Sequence, residues 1–110
     1  MRYNFRSELW VHIGENPWYF VTMPPDQSDE IAEITAPMRK GFGSVRVEVK
    51  LGTFTWLTSI FPEAKTGCYV LPIKKQVRLG ANLEVGKPLP VATGWSMSRQ
   101  RGVISVPLGR

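Results

Sequence analysis

A chain of 110 residues is long enough for one domain with a modest core and too short for two. Its single cysteine, Cys68, excludes an intrachain disulfide, and no apolar run reaches signal-peptide or membrane-helix length, so the expectation is a cytoplasmic protein that is not in a membrane. The net charge of +5 is unevenly spread. Residues 1–38 carry two Arg against six Asp and Glu, whereas residues 39–110 carry twelve Lys and Arg against three Glu. Such a split points to a basic face for an anionic partner, unless charges far apart in sequence mix on the folded surface.

In chain order, Tyr3 to Ile13 reads as a strand, with apolar residues at even spacing. Gly14-Glu15-Asn16-Pro17 is a turn cluster. Trp18 to Met23 has the aromatic and β-branched composition of a buried strand, ended by Pro24-Pro25. Asp26 to Ala36 reads as a short helix, with Asp26 or Ser28 as cap, Asp29 and Glu30 in the first turn, and Ile31 and Ile34 on one face. Arg39 to Gly43 is a loop. Its Gly41-Phe42-Gly43 is too short for a phosphate loop and lacks the strand-before, helix-after context.

Ser44 to Leu51 alternates, with Val45, Val47, Val49 and Leu51 facing one way. Gly52-Thr53 turns the chain into a second strand, Thr53 to Phe61, with Phe54, Trp56, Thr58 and Ile60 on one face. After a loop, Cys68 to Ile73 is a short strand. Lys74 to Leu83 is a helix with Val77 and Leu83 on its apolar side, weakened by Gly80 and capped by a left-handed Asn82. Pro88 to Ala92 is the last core strand. A single domain over residues 1–92 and a tail over 93–110, partly disordered or a peripheral strand at Val103–Val106, complete the chain. The sequence Phe20-Val21-Thr22-Met23-Pro24 before one helix is echoed by Tyr69-Val70-Leu71-Pro72 before the other. Two such units suit a barrel with a pseudo-twofold axis and a helix at each end, although so few residues match at least as readily by chance.

The runs Gly43-Ser44-Val45-Arg46-Val47, Trp56-Leu57-Thr58-Ser59-Ile60-Phe61-Pro62, Gly67 to Arg78 and Leu83-Glu84-Val85-Gly86 carry a resemblance. With Trp18 to Pro24 and the acidic helix, they resemble a bacterial double-split β-barrel family of unknown function, over nearly residues 3–92. Members are sometimes fused to a bacteriocin-protection-type domain. Leu71-Pro72, Arg78, Leu83 and Gly86 are also similar to the swapped-hairpin domain of AbrB-type regulators, which build one barrel from two chains and bind DNA. Lys87 stands where those regulators usually have aspartate, and Gly80 and Asn82 replace typical helix and cap residues. The resemblance implies a mainly β fold, a small closed or double-split barrel capped by two short α-helices, and supplies no catalytic or binding residues.

The chemistry-bearing residues are few. His12 and Cys68 have no partner motif, so neither a metal site nor a nucleophile pair is expected, and no cofactor. Asp26, Asp29, Glu30 and Glu33 read as solvated partners of a helix dipole. Trp10, Trp18, Trp56 and Trp95 either stack nucleobases or fill the barrel, and core packing is the expectation for all but Trp95. Lys74, Lys75 and Arg78 are the sharpest cluster. They are either a solvated helix face, with Arg78 tied to a barrel-end carbonyl, or, with Arg39, Lys40 and Arg46, a face that binds polyanions. The leading expectation is a non-enzymatic binding or regulatory module, monomeric or weakly dimeric, whose partner is nucleic acid or an acidic protein. The alternative is a small-ligand barrel or an enzyme of unknown substrate.

Overall fold

The computed structural model describes residues 2–38 and 43–94. Its elements in chain order are β1 (Arg2–His12), β2 (Trp18–Thr22), α1 (Pro25–Thr35), β3 (Val45–Leu51), β4 (Phe54–Pro62), β5 (Tyr69–Pro72), α2 (Lys75–Gly80) and β6 (Pro88–Gly94), with a 3-10 turn at Ala36–Met38. The strands close into a barrel in the order β1-β2-β5-β4-β3-β6, every neighbouring pair antiparallel. The expected fold class, a mainly β barrel with two short helices, is the one observed.

The β3–β4 hairpin follows from its period of two. Val45, Val47, Val49 and Leu51 are buried and the residues between them are half-buried. Leu51 faces Phe54 across a two-residue turn whose first position, Gly52, has φ +61. That left-handed start matches the twist of the flanking strands and favours glycine. The barrel interior is filled by these valines with Leu9, Val21, Ile60, Leu71 and Val91.

Two strands divide their partners. β1 pairs with β6 through Arg2–Glu8 and with β2 through Leu9–His12. β4 pairs with β3 through Phe54–Ile60 and with β5 only at Phe61 and Pro62. Prolines mark the places where a strand has lost one neighbour. Pro72 of β5 faces Phe20, while the β4–β5 ladder stops at Val70. Pro88 and Pro90 of β6 face β1, while the β3–β6 ladder begins only at Ala92. A residue without an N–H is tolerated there because no ladder bond is demanded on the open side.

The connectivity has the expected twofold character. Exchanging β1 with β4, β2 with β5 and β3 with β6 leaves every neighbour relation unchanged. Met23 N donates to Tyr69 O at 2.9 Å and Ile73 N donates to Tyr19 O at 2.8 Å, so each strand-to-helix corner is tied to the beginning of the other strand. In this correspondence Tyr19 matches Tyr69, Val21 matches Leu71, Met23 matches Ile73, and the helix starts Pro25 and Lys75 coincide. Because β2 and β5 are antiparallel and each leads directly into a helix, α1 and α2 sit at opposite ends of the barrel.

Several local expectations are corrected. The residue preceding α1 is Pro24, whose side chain has no group to cap the helix, and Asp26, inside the first turn, accepts from Gln27 N through its Oδ1 at 2.9 Å. Proline just inside the start suffices, since its missing N–H is one of the orphan donors of a helix beginning. Asp26 is the acidic residue of the first turn, while Asp29 and Glu30 lie further along. Ser28 is buried and serves another purpose described below. Helix α2 stops at Gly80 instead of continuing to Leu83. Leu83 N donates to Arg78 O at 2.9 Å and Asn82 N to Leu79 O at 3.2 Å, with Asn82 at φ 57. These bonds satisfy the last carbonyls and end the helix through the expected left-handed residue. Strand β6 continues through a buried Thr93 to Gly94, past the expected end at Ala92. The loop residues Arg39 to Phe42, Trp95 and the remaining tail lie outside the described residues.

Candidate functional site

The gap left where β4 and β5 part company opens as a cleft of about 470 Å³. Pro17, Trp18 and Tyr19 form one wall, Trp56, Leu57 and Thr58 of β4 the other, and Pro72 to Lys75 with Arg78 the floor and rim. Three of its lining residues are cationic and three are Trp or Tyr, with no carboxylate among them. Its volume falls in the range of small-molecule sites.

The β5–α2 corner positions the cations. Ile73 and Val77 are buried, which roots the corner in the core and leaves Lys74 and Lys75 exposed. Lys74 Nζ lies 5.8 Å from the Trp56 ring centroid. The Arg78 guanidinium carbon lies over the Tyr19 ring, 3.8 Å from its centroid, in place of the expected barrel-end carbonyl. Arg78 is half-buried, and its Nε is buried without a hydrogen-bond partner. Cation–π contacts of this kind contribute about 0.5–1 kcal/mol when exposed and more when desolvated. They fix the cations in place while leaving their charge uncompensated by any carboxylate in the lining.

Gly80 explains the close seat of α2. A Cβ there would overlap the Phe54 ring, which packs under the helix from β4. The residue that weakens the helix in isolation lets it sit against the barrel.

Of the six residues expected on a polyanion face, Lys74, Lys75 and Arg78 come together in the cleft. Arg46 does not line it. It stands on the outer face of β3, where its Nη1 donates to Ser59 Oγ at 3.3 Å. Arg39 and Lys40 lie outside the described residues.

Trp10 and Trp18 depart from the expectation of core packing, while Trp56 packs against the core from the edge. Trp18 is 55% exposed, Trp56 is half-buried in the cleft wall and Trp10 is half-buried on the outer face of β1. The period of β2 is the reason. Val21 points inward, so Trp18 and Phe20 lie outside, where Phe20 is flanked by Trp10 at 4.9 Å and by Trp18 at 6.1 Å. Sequence reasoning gave Tyr19, Leu57 and Thr58 no functional weight. No local signal marks them, because only barrel closure brings them beside α2.

His12 and Cys68 lie far apart. His12 faces Trp18 at the exposed end of the β1–β2 ladder, and Cys68 precedes β5, two residues beyond the Val70–Thr22 pair. That is six residue steps along the sheet, roughly 20 Å at about 3.3 Å per residue. Among the described residues, no group of three His, Cys, Asp or Glu side chains is placed to hold a metal ion, and no helix is long and apolar enough to cross a membrane.

No curated protein matches the chain. A family model does, over residues 5–92, the span that holds nearly all of the barrel, both helices and every residue of the cleft. The chain therefore belongs to the family described as domain of unknown function (DUF1905).

Proposed function

We propose that this protein is a non-enzymatic binding module that takes anionic ligands, nucleic acid foremost, at the α2 end of the barrel. The observation that carries the reading is the cleft itself, with Lys74, Lys75 and Arg78 converging on it and no carboxylate in its lining. Uncompensated cations over low-dielectric walls raise the local concentration of anions. The division of β1 and β4 between two neighbours supports the double-split reading of the barrel, and with it a single-chain relative of the swapped-hairpin regulators. The wide separation of His12 from Cys68 supports a role in binding over one in catalysis.

With phosphate neutralisation as the main source of affinity, dissociation constants on the order of 10⁻⁴ to 10⁻⁶ M are expected at physiological salt, weakening steeply as salt rises. The test is fluorescence anisotropy with a labelled duplex and a labelled single strand at two salt concentrations. The double variant Lys74→Glu, Lys75→Glu should lose most of the binding. Equal binding by that variant, or none by the wild type at low salt, would leave these residues as ordinary surface charge.

The cleft volume favours a second reading, a small-ligand barrel. A rise in melting temperature with one member of a metabolite panel, absent with polyanions, would select it.

A further inference from the structure

From the outer aromatic stack beside the cleft, we infer that the ligand of the α2 end is a nucleotide unit, free or within a single strand, whose base stacks on Trp18 while its phosphate meets Lys74, Lys75 and Arg78. The inference rests on the anion-binding reading and adds to it the chemical class of the ligand. Trp18 belongs to the cleft wall and also ends a run of three rings on the outside of β1 and β2. Its ring lies nearly parallel to that of Phe20, the planes 14° apart and the centroids 6.1 Å apart. Phe20 in turn leans on Trp10, at 4.9 Å and 31°. Trp10 is itself pinned, because its Nε1 donates to Thr22 Oγ1 at 2.8 Å.

Trp18 is thus a large, rigid, exposed ring braced from behind. At 55% exposure, much of the indole stays open to a flat ligand. A base has a flat π-face that fits such a platform, and stacking tolerates any base identity. The cations lie across the same cleft, so one ligand can satisfy both features only if it joins a flat ring to an anionic group. A duplex presents its bases to one another and cannot use the platform. A single strand or a free nucleotide can.

The experiment is competition against a labelled oligothymidine, followed by anisotropy, with unlabelled oligothymidine, thymidine monophosphate, a duplex and inorganic polyphosphate as competitors. Wild-type protein should prefer oligothymidine to duplex and to polyphosphate at equal phosphate concentration. Trp18→Ala should weaken oligothymidine binding on the order of tenfold and leave polyphosphate binding unchanged, and Trp18→Phe, which keeps a ring, should restore much of the loss. Thymidine monophosphate competing as well as the oligomer, and losing affinity in Trp18→Ala, would identify a free nucleotide as the ligand. Weak competition by it would identify the strand. Equal competition by polyphosphate and oligothymidine, both indifferent to Trp18→Ala, would overturn the inference and leave the anion-binding reading standing. Undiminished binding by the Lys74→Glu, Lys75→Glu variant would overturn that reading as well.

Discussion

The two ends of this barrel are built from matching strands, and one is sealed while the other is open. At the α1 end, the place where β1 and β2 separate is stitched shut. Ser7 Oγ donates to Thr22 O at 2.7 Å, and Gln27 Nε2 reaches from α1 to Asn4 O at 3.1 Å. Ser28 Oγ donates to Met23 O at 3.4 Å and accepts from Tyr69 N at 3.0 Å, locking helix to strand. Its counterpart at the other end is Arg78, which lies over Tyr19 as Ser28 lies at Tyr69. The short helix α2 buries one residue, Val77, where the longer α1 buries Ser28, Ile31 and Thr35. The lesson is that helix length and one exchange of side chain turn the same corner into a plug or a cleft. Charge follows the same division. Helix α1 carries Asp26, Asp29, Glu30 and Glu33 with no Lys or Arg, and α2 with its preceding Lys74 carries three cations and no carboxylate.

If α1 is a plug and α2 a rim, truncations on them should differ most in stability. Ile31→Ala empties a fully buried site and should cost about 2–5 kcal/mol, whereas Leu79→Ala, exposed on α2, should stay within about 0.5 kcal/mol. Urea denaturation measures both, and equal losses would mean that the two helices seal the barrel alike.

The matching pair Ser28 and Arg78 sharpens the comparison by separating stability from binding. Ser28→Ala removes the buried hydroxyl that accepts from Tyr69 N and donates to Met23 O, and should cost about 1–3 kcal/mol with binding intact. Arg78→Ala should cost less than about 1 kcal/mol and lose affinity for oligothymidine. A cleft that binds as well without Arg78 would show that the open end is not the binding end.

The effect confined to the narrowest range of conditions, strongly alkaline pH, belongs to Tyr3, buried near α1. Burial first, and then Glu30 beside its hydroxyl, push its pKa up to about 12 from 10.0. The folded state therefore holds this proton more tightly than the unfolded chain does. Its contribution is complete below about pH 10 and is lost as pH rises toward about 12. Tyr3→Phe should flatten the fall of stability over that window when urea midpoints are measured against pH, and an unchanged slope would remove Tyr3 as its source.

Much of this was legible from residue order. Val45 to Leu51 alternates so regularly that strand, face and hairpin follow from it; the echo of strand then helix agrees with the twofold connectivity, but its prolines do not correspond, since Pro24 matches Lys74 and Pro72 matches Thr22. Asn82 announced its own left-handed cap. Cap chemistry at α1 was legible only in part: Asp26 accepts from a first-turn N–H, but Ser28, of the right type and near-right position, lies inside the helix on the side that meets Tyr69. Gly80 was read as a weakness of α2 since its packing partner, Phe54, is distant in sequence. The basic half of the chain was visible as composition, but its division into a cleft at Lys74, Lys75 and Arg78 and a separate outer-face Arg46 was not.

By itself the sequence determined what nearest neighbours along the chain decide: the period of each strand, the prolines that stop strands, and the opposite charge of the two helices. Only the tertiary structure decided which end is open. The antiparallel pairing of β2 with β5 sends the helices to opposite ends, and the early stop of the β4–β5 ladder leaves the gap beside Pro72. Both depend on hydrogen bonds between segments tens of residues apart: Pro72 tolerates an open side, but nothing local to it says which neighbouring strand is missing there.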